Sequence, residues 1–292
     1  SGYGLYAECG RSVLHLCNGK TSYWDAQIVD ASTYFDLGSL TKVVLTTSAL
    51  ARAYDRGEFK LDDSISRWVP ELKKVPPGRF QIGHLLSHAS GIRAWMPIYL
   101  ELKGGNLLQW FRHNADLLVE NNPLFYAKYS DLGFLLLGFV LEKIWGGVQE
   151  AWEREVRGPL KLSGIGFTPL DPSLKVMATE YCLHRKRVIH NEAFDENCAA
   201  LGGVASHAGL FSSSQALAPW CREWLSAVSG NSSWLSQKTA LLFTRKSQFV
   251  PDSTWAFGWD TRSPAFSSAG NFLSMSAFGH LGYPGCSVWL DP

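Results

Sequence analysis

The chain has 292 residues, 46% of them hydrophobic and 18% charged, with a formal net charge of +1. That length buries a sizeable core in one large domain or two interleaved ones. The near-neutral balance offers no basic patch for nucleic acid or an anionic membrane surface.

The first residues, Ser1 to Glu8, carry neither a basic n-region nor an apolar h-region, so no signal peptide is read in the sequence as given. Residues 3 to 29 read as strands: Leu5-Tyr6-Ala7 and Val13-Leu14-His15-Leu16 flank a turn at Cys9 to Ser12, and Asn18-Gly19 gives a second turn signal. Leu40, Val43, Val44, Thr47, Leu50, Ala51 and Tyr54 recur at three- and four-residue steps, which predicts an amphipathic helix from Ser39 to Arg56, stopped by Gly57. Short helices are predicted over Ile82 to His88 and Leu107 to Val119. The run Leu132 to Trp145 holds Glu142 and Lys143; at about 14 residues it is too short to span a bilayer and reads as a buried helix. Residues 60 to 200 show few strand signals. From about 202 the chain turns to glycine and serine turns, a helix near Ser214 to Ser226, and a terminal hairpin over Phe278 to Leu290. Six cysteines (Cys9, Cys17, Cys182, Cys198, Cys221 and Cys286) form no C-x-x-C pair and no metal-type cluster. They are expected to be free, buried thiols, with no metal or other cofactor.

The expected fold is therefore α/β (α+β): an antiparallel sheet flanked by helices, built from residues 1–60 and 201–292, with an all-helical domain of residues 61–200 inserted between them.

Gly38-Ser39-Leu40-Thr41-Lys42 stands where the first strong helix begins. Residues three apart share a helical face, so the Ser39 hydroxyl and the Lys42 amine can meet. A serine hydroxyl needs a neighbour to take its proton, and a lysine with a depressed pKa can do so. A helix N-terminus also aims backbone N–H groups at developing negative charge. Read alone, the pair serves equally as a capping serine and a solvated lysine. Two further segments strengthen the catalytic reading. Tyr129-Ser130-Asp131 precedes the Leu132 helix, and a tyrosine there, its phenol pKa lowered by Lys42, suits a general base. Gly279-His280-Leu281-Gly282-Tyr283 lies on the terminal hairpin, where a glycine allows close approach and the next N–H can complete an oxyanion hole.

Together, Ser39-Leu-Thr-Lys42, Tyr129-Ser-Asp131 and His280-Leu-Gly282 resemble the motifs of the penicillin-recognising serine hydrolases, in the class C β-lactamase-like branch that includes D,D-peptidases and esterases. Gln81 to Gly91 resembles that branch's "HLLxHxSG" stretch, Asp195 to Phe211 its glycine-rich segment, and Gly279 to Pro292 a "GHTGFTGTSLWIDP" ending. The resemblance runs from about residue 30 to 292 and implies a β-lactamase/transpeptidase-like fold with the active site in the cleft between its two parts. It implies that Ser39 is acylated, that Lys42 and Tyr129 move its proton and later activate water, and that His280 and Gly282 line the substrate strand. The N–H groups of Ser39 and Tyr283 would form the oxyanion hole. Asp131 stands where the family more often has Asn, which contacts the substrate amide and the lysine; the extra negative charge would raise the Lys42 pKa. The substrate would be a peptidoglycan-like D-Ala amide, a β-lactam or a small ester, and the family mostly works in the periplasm. The alternatives are a carboxylesterase, or a non-hydrolysing penicillin-binding or scaffold protein on the same fold. In the family a further central strand and a C-terminal helix follow Asp291-Pro292. Either the chain as given is shortened, or the sheet closes without that strand, or a partner supplies a strand at the gap.

Other candidates carry less. His84 and His88 have metal-ligand spacing but lack the Glu of H-E-x-x-H. His207 reads as a turn-stabilising histidine, and Arg185-Lys186-Arg187 as a solvated charge cluster. There is no G-x-S-x-G, P-loop or G-x-G-x-x-G.

Overall fold

A computed structural model describes residues 1–24, 27–102, 106–168 and 170–292. The chain opens with an antiparallel hairpin of β1 (Gly2–Cys9) and β2 (Ser12–Gly19), turning at Gly10 in the left-handed region. Strand β3 (Phe35–Asp36) leads into the first long helix, a π-helical segment Lys42–Thr47 continued by α1 (Ser48–Asp55). There follow α2 (Ile65–Trp68), α3 (Ile82–Leu86), α4 (Leu107–His113), α5 (Asp131–Trp145) and α6 (Val148–Ala151), the last running into a second π-helical segment, Trp152–Arg157. Next come β4 (Ile165–Phe167), β5 (Tyr181–Cys182), β6 (Arg187–Val188), α7 (Glu196–Ala200), β7 (Leu210–Ser212), α8 (Ala218–Val228) and α9 (Gln237–Thr244). Strands β8 (Asp260–Thr261), β9 (Phe278–Gly282) and β10 (Cys286–Leu290) close the chain.

All strand pairs between named strands are antiparallel, in small sheets ordered β1-β2, β10-β9-β8, β3-β7-β4 and β5-β6. Among the described residues the two chain ends thus share the small β3-β7-β4 sheet but do not form one continuous sheet. They pair where β3 meets β7, with Phe35 opposite Ser212 and Asp36 opposite Phe211, and they also pack: the Cys286 thiol approaches the Asp36 carbonyl at 3.2 Å, and the Glu8 carboxylate binds Arg222 of α8 at 2.7 Å. The 61–200 stretch holds helices joined by long loops, with few strands. The expectation of an all-helical insert left out β4, β5 and β6, which are too short to show alternation. Strand β4 pairs with β7 across the expected boundary at residue 200. The predicted Leu107 to Val119 helix is shorter, ending as α4 at His113, with a 3-10 turn over Ala115–Leu117.

Helix α5 forms as its sequence dictates. Ser130 caps it by accepting the Gly133 N–H at 3.0 Å, and Gly146, in the left-handed region, stops it. Leu132 through Leu141 are all buried, which suits a helix apolar on every side. Among the described residues no helix is long and apolar enough to cross a membrane. The six cysteines are free, but only Cys182 and Cys198 are buried and Cys9 is exposed. Cys9 closes the surface hairpin turn, so the expected burial of all six fails there for geometric reasons.

The core beneath the first long helix is aromatic. Trp259 stacks on Trp220 at 5.5 Å and meets Trp224 and Phe278 edge-on at 5.2 and 4.9 Å. The indole N–H groups of Trp220 and Trp224 both donate to Ser48 Oγ, at 3.0 and 3.1 Å. Ser48 in turn donates to the Val43 carbonyl at 2.8 Å, within the π-helical segment. Glu155, also buried, accepts from Arg56 and from the Trp145 indole and ties the second π-helical segment to the first helix.

Asp36 fixes the approach to Ser39. Its two carboxylate oxygens accept the Gly38 and Phe194 N–H groups, each at 2.8 Å. Gly38 takes φ 48°, a left-handed conformation that only glycine adopts without strain. Burial raises the Asp36 pKa to about 6, against the lowering effect of those two hydrogen bonds.

Two outcomes follow from this packing. Ser48→Ala strands two buried indole donors, and the unfolding free energy in urea should fall by roughly 2 to 6 kcal/mol; an unchanged denaturation midpoint would contradict the shared acceptor. Asp36 binds its proton more tightly folded than unfolded, so its contribution is greatest below its unfolded pKa and is lost as pH rises through about 6. Relative to Asp36→Asn, the wild-type unfolding free energy should decline by about 2 kcal/mol between pH 4 and pH 7.

Candidate active site

The loop after β3 and the π-helical segment bring Ser39 and Lys42 onto one face. Lys42 Nζ donates to Ser39 Oγ at 3.0 Å and to the His207 carbonyl at 3.0 Å, and forms an ion pair with Asp131 Oδ1 at 2.6 Å. Lys42 is fully buried, its Nζ lying 5.0 Å over the Tyr129 ring and 5.6 Å over that of Phe134. The Tyr129 hydroxyl donates to Ser39 Oγ at 2.6 Å. Residues 39, 42, 129 and 131, far apart in the chain, therefore share one hydrogen-bonded cluster.

The charges in this cluster are set by competing effects. Burial pulls the Lys42 pKa down, but Asp131 and Tyr129 outweigh it and hold the amine above its ordinary value. Burial raises Tyr129 to about 12, and the neighbouring ammonium only partly offsets this. The sequence reading expects the lysine to lower the tyrosine pKa; the lysine does act in that direction, but desolvation at an almost enclosed phenol exceeds it. The resting cluster is thus an ammonium, a carboxylate and a neutral phenol around Ser39.

His280, on β9, faces Tyr129 and Trp255, with ring centroids 5.8 Å from each. Its Nδ1 donates to the Leu281 carbonyl at 2.7 Å, and burial together with Lys42 lowers its pKa to about 3, so the ring is neutral. A Cβ at Gly282 would lie 2.5 Å from the Leu37 carbonyl oxygen, so its bareness lets β9 close on the backbone just before Ser39. The Tyr283 N–H lies on that same side, 3.5 Å from where a Gly38 Cβ would stand. The exposed Tyr283 ring stacks on Phe194 at 5.8 Å with planes 10° apart.

Four further residues support the cluster and were not singled out for it by sequence. His88 brackets Tyr129: its Nδ1 accepts the Ser130 N–H at 3.1 Å, its carbonyl accepts the Lys128 N–H at 2.8 Å, and its ring packs 4.8 Å from the tyrosine ring. The chain bends there through φ 56°. Asp195 caps α7 and accepts from His207 Nε2 at 3.0 Å, which holds the His207 carbonyl beneath Lys42. Asp36 holds the turn ahead of Ser39. The available signals were the D-x-G-S order for Asp36 and the capping position of Asp195. Arg185, read as solvated, is mostly enclosed and donates to the Ala193 and Phe194 carbonyls, so it braces the segment under Tyr283. His84 packs on Phe249 and shares no site with His88.

The chain matches the family described as Beta-lactamase over residues 6–292. It is 31% identical to the N-acetylmuramyl-L-alanine amidase of Bacillus subtilis (strain 168), over 89% of this chain and 65% of that protein. It therefore spans slightly less than two thirds of that relative. It is 28% identical to a "Putative D-alanyl-D-alanine carboxypeptidase" of Salmonella agona (strain SL483), over 94% of this chain and 70% of that one. In structure it is similar to EstCE1, "a hydrolase with promiscuous acyltransferase activity", with a TM-score of 0.76 and 22% identity, covering 100% of this chain and 85% of that one. That likeness speaks for the shared fold. With a match across nearly all its length, this chain belongs to the Beta-lactamase family.

Proposed function

We propose that the protein is a serine hydrolase that forms an acyl-enzyme at Ser39. The observation that carries this reading is that Ser39 Oγ sits 3.0 Å from a fully buried lysine amine and 2.6 Å from a tyrosine hydroxyl. A serine between two such proton carriers, at the start of a helix, has the parts of an activated nucleophile. In this reading Lys42 and Tyr129 move the hydroxyl proton, and the Ser39 and Tyr283 N–H groups receive the oxyanion. His280 and Gly282 shape the substrate strand, with Asp131 beside the lysine. The acyl donor is a peptidoglycan-like D-Ala amide, a β-lactam or a small ester, as the names of the relatives suggest for those proteins. A strand added from a partner at β10 is a further part of this reading, supported by the place of β10 at the edge of its sheet.

One observation favours a second reading, a penicillin-binding protein that does not turn over. Lys42 is paired with Asp131 and held as an ammonium, which is no base as it stands. The two readings part in a labelling experiment. A fluorophosphonate or fluorescent penicillin should label the wild type and not Ser39→Ala; absence of label from both probes sinks the acyl-enzyme. If penicillin stays bound while p-nitrophenyl esters and D-Ala-D-Ala peptides are untouched, the non-hydrolysing reading holds. Tyr129→Phe should lower kcat/KM on the preferred substrate by about 10²- to 10⁴-fold, as loss of a positioned proton carrier does. Full activity in that variant would remove Tyr129 from proton transfer.

A further inference from the structure

We propose that Asp131 Oδ1 holds the proton released during acylation, receiving it through Lys42 Nζ, so that Asp131 serves proton transfer rather than contact with a substrate amide. This rests on Ser39 being the nucleophile.

Three oxygens surround Lys42 Nζ: Ser39 Oγ, the His207 carbonyl and Asp131 Oδ1. Three N–H groups of an ammonium match three oxygens, whereas a neutral amine would turn its lone pair against one of them. The lysine at rest therefore has no place for the serine proton. The neutral Tyr129 phenol has none either unless it passes its own proton on. The other titratable groups facing this point are His88, His280, Asp195 and Cys198, whose thiol donates to the Ala208 carbonyl at 3.3 Å and is kept protonated by burial. His88 Nδ1 is occupied by the Ser130 N–H, and burial, with His280 and Lys42, keeps the ring unprotonated. His280 is neutral and its Nδ1 is committed to Leu281. Asp195 is taken up by His207 and the Cys198 N–H, and lies beyond the carbonyl that Lys42 touches. Asp131 is thus the anion in contact with Lys42. Its buried Oδ1 accepts no other hydrogen bond among the described residues. Asp131 is the first residue of α5, a 15-residue helix.

The step balances. Lys42 gives a proton to Asp131 Oδ1 and takes the Ser39 hydroxyl proton, directly or through Tyr129. Ser39 Oγ bonds to the acyl carbon, and the carbonyl π pair moves onto oxygen. On collapse the bond to the leaving group breaks, that group takes a proton from Lys42, and Lys42 recovers the one held by Asp131.

The test reads the rate constant for labelling of Ser39 by a fluorophosphonate from pH 6 to pH 9. Wild type should be flat across this range, because the Lys42–Asp131 pair keeps one proton between its two sites throughout. In Asp131→Asn the lysine loses the charge that raised its pKa, burial then lowers it, and the amine itself becomes the base. The variant should be about 10²- to 10⁴-fold slower at pH 6 and come within about tenfold of wild type at pH 9. A flat profile in Asp131→Asn, whether at the wild-type rate or uniformly reduced, overturns the proposal while leaving the nucleophile intact. Ser39-independent labelling, or none, overturns the acyl-enzyme reading itself. Should Asp131→Asn not fold, a proton inventory in mixed H2O and D2O on the wild type decides: a curved inventory shows two protons in flight, and a linear one overturns the relay.

Discussion

The structure depends on the burial of one ammonium group. Lys42 is fully enclosed, and an unpaired charge in such a place would be far too costly to keep. The surrounding chain answers that cost with three oxygens from separate stretches of sequence: Ser39 one helical turn before it, Asp131 at the start of α5, and the backbone of His207 just ahead of β7. Each must be held in place for the charge to be tolerated. Ser130 caps α5 and so fixes Asp131, while Asp195 holds the His207 ring and with it the carbonyl. The nucleophile helix, α5 and the segment leading into β7 are thus locked to one another through a charge.

The helix that carries Lys42 begins as a π-helix. All six residues from Lys42 to Thr47 are buried, and the wider turn ends where Ser48 returns a hydrogen bond to Val43. Ser48 then anchors Trp220 and Trp224, so the helix that carries the reactive pair stands on a tryptophan-rich floor. Widened turns of this kind recur at functional sites because they shift the register of side chains that an α-helix would splay.

Much of this was legible in the sequence. The long periodic elements were clear: the hairpin at the start, the helix after Ser39, α5, and the terminal β9–β10 hairpin. Ser39, Lys42 and Tyr129 were readable because serine and lysine three apart need only a helix to meet, and because a tyrosine sits at a helix entrance. The π-helical register was not legible, since apolar residues at three- and four-residue steps fit both helix types. Nor were β4 to β6, whose two or three residues give no alternation. The phenol shift ran opposite to expectation because sequence shows which charges are near but not how deeply a side chain is enclosed. That Gly282 also lets β9 approach the Leu37 backbone was not legible either. Sequence places residues in order; it does not say which chain segment will approach a bare Cα.

That approach of β9 to the nucleophile turn is where the parts converge. Gly38 turns through a left-handed conformation because Asp36 draws its N–H inward, and Pro284 closes on it so tightly that a Cβ would stand 2.6 Å from the proline ring. The same Asp36 carboxylate holds Phe194, whose ring stacks on Tyr283. One buried acid therefore fixes both the turn that leads into Ser39 and the segment whose ring stacks on Tyr283. In the proposed acyl-enzyme, where donors to developing negative charge work only when already in position, Asp36 would set both of them without touching the reacting atoms.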